Sequence, residues 1–209
     1  MLGVFGGTFN PVHYGHLRSA LEVKEFFQLE QLRLIPCRIP AHRQEPDVSA
    51  EMRLHLLQLA IKDMPGWLAD RRELDRDGPS YMVDTLASLK AEFADSPILL
   101  FIGTDAFAGL TNWYQWQHLF DLAHVVVMTR PGFQPVEVSP WLQHRQTEQL
   151  ESLRRRQAGL LYFFPVTQLD ISASRIRKLV AAGLDTRFLL PDCIIQEINK
   201  HHLYQTSGN

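Results

Sequence analysis

Short apolar runs along this chain alternate with stretches of helical periodicity, and no other feature limits the fold so strongly. An apolar run too short for a helix, followed by a segment with apolar positions every three to four residues, is a buried strand feeding a crossover helix. Repeated, the unit builds a parallel sheet covered on both faces. The apolar runs are Leu2 to Phe5, Leu32 to Cys37, Trp67 to Leu74, Pro97 to Ile102, His124 to Met128 and Leu160 to Val166. Helices are expected over Gly15 to Phe27, Ala50 to Asp63, Ser80 to Phe93 and Thr111 to Leu122, then over Ser172 to Ala182 and Pro191 to His202. Ser49 is placed to cap the second helix, although Met52 rather than Glu or Gln occupies the third position of its capping box. Pro65-Gly66 and Asp77-Gly78-Pro79 punctuate the chain as turns. Residues 133 to 158, rich in Gln, Glu and Arg, lack strong periodicity and are expected as an irregular or helical surface excursion.

The expected fold is therefore α/β, a Rossmann-like doubly wound parallel sheet with a small C-terminal helical portion over 171 to 209. A length of 209 residues suits a single domain with one well-buried core. The 45% hydrophobic and 21% charged content exclude a disordered or fibrous class. With 21 basic against 23 acidic residues the chain lacks the basic surplus of a nucleic-acid binder, and Arg154 to Arg156, its one dense basic run, suits a solvated helix face. Cys37 and Cys193 have no CxxC spacing, so neither a zinc knuckle nor a disulfide framework is expected. The N-terminus breaks into glycine before a signal-peptide core forms, and no apolar run approaches the ~18 residues of a membrane span. A cytoplasmic location and no membrane partner are expected. The oligomeric state is left open, a homo-oligomer included.

Ligands of an open parallel sheet bind beyond the carboxyl ends of its strands. Polar clusters follow those ends at Gly6-Gly7-Thr8, Pro36 to Arg43, Gly103-Thr104-Asp105 and Asp170 to Arg177. In the first, Gly6-Gly7-Thr8-Phe9-Asn10-Pro11-Val12-His13-Tyr14-Gly15-His16 runs from a strand into a helix. Two glycines let backbone N–H groups approach phosphate, and the helix N-terminus favours an anion. His13 and His16 are spaced to share one side of the first helical turn, with Gly15 keeping the surface between them low. The stretch is neither GxxxxGK[ST] nor GxGxxG, and without a third ligand nearby a zinc site is not expected. Two loop histidines alone are more often structural; the adjoining Gly-Gly-Thr favours a ligand. In the last cluster, Ser172 is a natural helix cap. Ser174 and the surrounding N–H groups are placed to hold a triphosphate, and Arg177, three residues on, is placed to reach the same anion. Arg175 points elsewhere on the turn.

GGTFNPVHYGH together with Ile171-Ser172-Ala173-Ser174-Arg175-Ile176-Arg177 resembles the HxGH nucleotidyltransferase superfamily. Within it, the chain is most similar to the bacterial nicotinate mononucleotide adenylyltransferases over nearly its whole length. The likeness includes Pro40-Ala41-His42-Arg43, Arg72-Glu73-Leu74, Gly78-Pro79-Ser80-Tyr81, Thr85-Leu86, Ile102 to Phe107, Trp113-Tyr114 and Arg130-Pro131-Gly132. It implies transfer of AMP from ATP to nicotinate mononucleotide, giving nicotinate adenine dinucleotide and pyrophosphate, with magnesium held mainly by the ATP phosphates. It also implies roles. His13 and His16 are catalytic contacts to the ATP phosphates beside Gly6, Gly7 and Thr8, and Ser172, Ser174 and Arg177 hold the triphosphate from the other side. Asp105 binds ribose hydroxyls and Ile102 and Gly103 line the adenine site. On the acceptor, Trp113 stacks on the pyridine ring, Tyr114 and the Ser80-Tyr81 turn read its carboxylate, and His42 and Arg43 meet its phosphate. Four residues depart from the family pattern: Asn10 for Asp, Cys37 for Asn, Met82 for Thr and Ser174 for Thr. Met82 bears on the choice between nicotinate and nicotinamide forms.

Read from residues alone, Trp113 and Trp116 at helical spacing suit core packing as well as base stacking, and Asp105 suits a helix cap. The competing functions are another HxGH adenylyltransferase, such as the phosphopantetheine enzyme, and a nucleotide sensor without turnover. The Trp113 region argues against the first, and retention of both histidines against the second.

Overall fold

The computed structural model describes residues 1–40, 46, 48–129, 138–167 and 169–205. In chain order its elements begin with β1 (Leu2–Gly7), α1 (Tyr14–Phe26), β2 (Gln31–Pro36), α2 (Ala50–Ile61), β3 (Trp67–Ala69), α3 (Met82–Glu92) and β4 (Ile98–Gly103). They continue with α4 (Thr104–Ala108), α5 (Leu119–Leu122), β5 (His124–Thr129), α6 (Pro140–Gln143), α7 (Leu150–Arg155), β6 (Leu161–Pro165), α8 (Ala173–Ala181) and α9 (Asp192–Lys200). The strands form one six-stranded sheet in the order β3-β2-β1-β4-β5-β6, with every pairing parallel. This is the doubly wound Rossmann order, in which the winding reverses between β1 and β4.

Alternation along the strands divides the core into two layers. Leu99 and Phe101 of β4 and Val126 and Met128 of β5 pack with Val23 of α1, Leu57 of α2 and Ile194 of α9. Ile98, Leu100 and Ile102, with Val125 and Val127, face the other way onto Leu86 of α3 and Phe120 of α5. Strands buried on both faces are nearly continuous apolar runs, as Ile98 to Ile102 of β4 and Val125 to Met128 of β5 are, while the buried His124 at the start of β5 is hydrogen-bonded through both ring nitrogens. Ser49 caps α2 as expected, its hydroxyl accepting from the Met52 N–H at 3.3 Å. Gly66 turns the chain from α2 into β3 at φ +73°, where a Cβ would lie 2.6 Å from the Glu30 carbonyl.

Two expected elements are corrected. The strand drawn to Leu74 stops at Ala69: the Asp70 N–H still donates to the Leu34 carbonyl of β2, but its carboxylate takes Arg33 at 2.7 Å and both the side chain and the backbone N–H of Arg72, which turns the chain away. The helix expected over Thr111 to Leu122 is broken into two 3-10 turns and the single turn α5, with Gln115 left-handed at φ 50° between them. Residues 138 to 158 carry α6 and α7, whose Leu142 and Leu153 enter the core, so this part of the excursion is anchored. Among the described residues no helix is long and apolar enough to cross a membrane.

Candidate active site

At the end of β1 the chain folds back on itself. Phe9 is buried beneath Gly7, where a Cβ would meet its ring at 3.2 Å, and its own ring packs edge-on against Phe5 and His16. His13 is the extended N-cap residue of α1, and its carbonyl accepts the N–H groups of His16 and Leu17. The two imidazoles stack with centroids 3.7 Å apart and planes 25° from parallel. Gly15 makes this possible: a Cβ there would stand 3.0 Å from the His13 ring and 3.3 Å from the Ile171 carbonyl.

Burial sets the charge of the pair. It pushes His13 down to about 4, and it holds His16 well below the usual imidazole range, with the neighbouring His13 charge adding to the effect. Both rings are therefore neutral at pH 7. Nδ1 of each is buried without a hydrogen-bond partner among the described residues. Such atoms are costly in a packed interior.

That cleft measures about 800 Å³. Gly7, Thr8, Asn10, His13 and His16 form one wall, Ser172, Ser174 and Arg177 the opposite one, and Gly103 and Asp105 contribute from the end of β4. Ser172 caps α8, accepting from the Arg175 N–H at 3.2 Å, and Arg175 itself is exposed. Arg177 ties the walls together, donating to the Asn10 carbonyl at 2.8 Å and to the Ser174 hydroxyl at 3.3 Å. Asp105 lies in the first turn of α4, where Gly103 is the N-cap residue and no side chain caps. Asp105 is exposed, and among the described residues no hydrogen bond holds its carboxylate.

A second cleft of about 370 Å³ adjoins the first, sharing Phe5, Gly7, Thr8, Pro40, Gly103 and Asp105. Ser80, Tyr81, Trp113 and Tyr114 border it, with Cys37, Glu73 and Met82. The break at Gln115 separates the two tryptophans: Trp113 lines this cleft, whereas Trp116 packs edge-on against Trp141 at 4.9 Å. Tyr81 and Tyr114 lean together across it with ring centroids 4.6 Å apart. Gly6 and Ile102 line this smaller cleft and not the larger one, and a Cβ on Gly6 would meet the Met82 methyl at 2.5 Å. His42, Arg43 and Arg130 to Gly132 lie outside the described residues.

Three residues not singled out as site residues support these walls. Arg53 of α2 is 1% exposed and donates to the carbonyls of Thr8 at 2.8 Å, Cys37 at 2.7 Å and Arg38 at 3.2 Å, joining the exits of β1 and β2. Its signal was present, because Arg53 stands on the buried stripe of Leu57 and Ile61 at four-residue spacing. Glu73 is a buried carboxyl group, its pKa pushed upward by that burial. Tyr204 reaches Asn10 from the far end of the described chain. Glu73 stands in the Arg72-Glu73-Leu74 segment of the family likeness, which gave it no role, and nothing local in sequence marks Tyr204.

A Rossmann-ordered sheet with a stacked histidine pair at the end of its first strand, facing a serine–arginine helix start, defines a nucleotide-binding α/β protein. Residues 4–179 match the cytidylyltransferase-like family. The chain is 46% identical over 209 residues to a probable nicotinate-nucleotide adenylyltransferase of Methylococcus capsulatus, covering 98% of this chain and 99% of that one. It is 48% identical over 200 residues to the corresponding protein of Halorhodospira halophila, covering 94% and 92%. Its fold superposes with a TM-score of 0.75, at 16% identity and over 97% and 96% of the chains, on Plasmodium falciparum nicotinic acid mononucleotide adenylyltransferase complexed with NaAD. The chain belongs to the nicotinate-nucleotide adenylyltransferase family.

Proposed function

We propose that the chain transfers AMP from ATP to nicotinate mononucleotide by direct in-line displacement between two substrates bound at once. The carrying observation is that the two clefts adjoin and share the carboxyl ends of β1 and β4. ATP takes the larger cleft, with its triphosphate between His13 and His16 on one wall and Ser172, Ser174 and Arg177 on the other. The acceptor takes the smaller, with its pyridine ring against Trp113. Its carboxylate is read at the Ser80-Tyr81 turn and Tyr114, and its phosphate is directed to the junction beside Gly7 and Thr8, with His42 and Arg43 assigned to it by the family likeness alone.

An oxygen of the acceptor phosphate attacks the α-phosphorus of ATP, the bond from that phosphorus to the β-phosphate oxygen breaks, and pyrophosphate leaves. No protein nucleophile is needed, since catalysis rests on holding the line of attack and balancing charge on the phosphate oxygens. Neutral imidazoles donate N–H bonds to these oxygens. As the anion arrives it favours their protonated form, so their positive charge develops where negative charge is greatest. Asp105 accepts ribose hydroxyls. Among the described residues no three His, Cys, Asp or Glu side chains converge as a metal cage. Magnesium, held mainly by the ATP phosphates as the family likeness implies, would neutralise the leaving group.

Pyrophosphate release with ATP and magnesium, compared across nicotinate mononucleotide, nicotinamide mononucleotide and phosphopantetheine, tests the assignment. A strong preference for the first is expected; turnover only with another acceptor overturns the substrate. His16→Ala is expected to lower kcat by about 10²- to 10³-fold with an unchanged circular dichroism spectrum. Near-parental activity in that folded variant would remove the role given to the histidine pair.

A further inference from the structure

Glu73 is 4% exposed, lies just beyond β3 and lines the smaller cleft. The Thr85 hydroxyl of α3 donates to its Oε1 at 2.6 Å and lies 3.3 Å from the Tyr81 carbonyl. Ser80 is held by the exit of β2: its oxygen accepts the Arg38 N–H at 2.9 Å, and its own N–H donates to the Ile39 carbonyl at 3.0 Å. Arg76 donates to the Thr85 oxygen at 3.2 Å and to the Tyr81 carbonyl at 3.3 Å. Tyr81 in turn packs on Tyr114, next to Trp113. One carboxyl group thus joins the segment after β3 to the first turn of α3, beside the turn that Ser80 ties to the exit of β2.

We infer that Glu73 is the positioning residue of the acceptor cleft, fixing the Ser80-Tyr81 turn through the Thr85 hydroxyl and the Arg76 guanidinium that meets it. The inference rests on reading the smaller cleft as the acceptor site. Its basis is the direction of the bonds. A carboxylate only accepts, so the Thr85 hydroxyl points its single hydrogen at Glu73, which leaves its lone pairs to take the Arg76 guanidinium. An amide in its place can turn an N–H toward that hydroxyl, and the negative charge that strengthens the bond is lost.

The test varies ATP and nicotinate mononucleotide separately in steady-state kinetics of the full chain. Glu73→Gln is expected to raise KM for nicotinate mononucleotide about tenfold, the effect of one lost hydrogen bond to a charged group, with KM for ATP unchanged. Thr85→Val should shift the same constant in the same direction, and Thr85→Ser, which keeps the hydroxyl, should restore it. If Glu73→Gln does not fold, the Thr85 pair alone carries the test. An unchanged acceptor KM, or a rise shared equally by ATP, overturns the positioning role. An unmodified enzyme that does not use nicotinate mononucleotide instead overturns the substrate reading, and the inference falls with it.

Discussion

The Tyr204 phenol donates to Oδ1 of Asn10 at 2.7 Å, joining residues 194 positions apart in the chain. Asn10 sits in the loop between β1 and the histidine pair, and its backbone carbonyl is held by Arg177. The two sides of Asn10 are thus fixed by separate parts of the C-terminal helical region. Tyr204→Phe keeps the ring and leaves the buried Asn10 oxygen without its donor. The expected cost is about 1–2 kcal/mol of stability, read from urea unfolding, with KM for ATP raised roughly 3- to 10-fold. Full retention of both would show that Arg177 alone holds the loop.

The buried histidines give stability a definite pH dependence. His13 titrates at about 4 when folded and at its ordinary 6.5 when unfolded, so between these values the unfolded chain binds more protons. Stability is therefore complete above pH 6.5 and falls as pH drops toward 4. The loss from His13 alone is about 3 kcal/mol, given its lowering from 6.5 to about 4. Thermal melts from pH 7.5 to 4 should show a steeper decline for the parent than for His13→Asn. Parallel curves would contradict the burial argument.

Arg53 is expected to matter for folding before catalysis. Arg53→Met fills most of the volume but strands the Thr8 and Cys37 carbonyls that now receive its N–H groups at 2.8 and 2.7 Å. A loss of about 3 kcal/mol or more is expected by chemical denaturation. Arg53→Lys recovers only part of it, because a single ammonium cannot span the fork of acceptors. Equal stability of parent and Met variant would mean that the exits of β1 and β2 hold together without this bridge.

The two tryptophans should separate cleanly. Trp113→Ala is expected to raise KM for the acceptor about tenfold, the worth of one ring stack, while the melting temperature barely moves. Trp116→Ala removes packing against Trp141 and is expected to cost about 2 kcal/mol of stability, with a smaller effect on the acceptor. The reverse pattern would exchange their roles.

Much of this was legible in one dimension because the responsible forces are local. Residues 98 to 102 cannot be anything but a buried strand in this context, and Ser49 and Ser172 cap helices by reaching N–H groups three residues on. The helix expected through Thr111 to Leu122 failed for a reason the pattern conceals. Apolar spacing was right, but Gln115 adopts a left-handed conformation that turns Trp113 toward the cleft and leaves Trp116 with Trp141. The strand drawn to Leu74 failed because Asp70 finds Arg33 on the neighbouring strand, a pairing that exists only once the sheet is formed.

The sequence by itself determined the alternating α/β architecture, the glycine-bounded loop before α1, and the residue types gathered at the strand ends. Periodicity, turn chemistry and capping are written over a few residues. Only the tertiary structure decided the strand order, which sets the β1 and β4 ends side by side and makes two clefts adjoin. It alone decided that Glu73, Arg53 and Tyr204 hold those clefts in shape. Their partners lie 12, 45 and 194 residues away, and burial makes each bond matter by removing the water that would replace it.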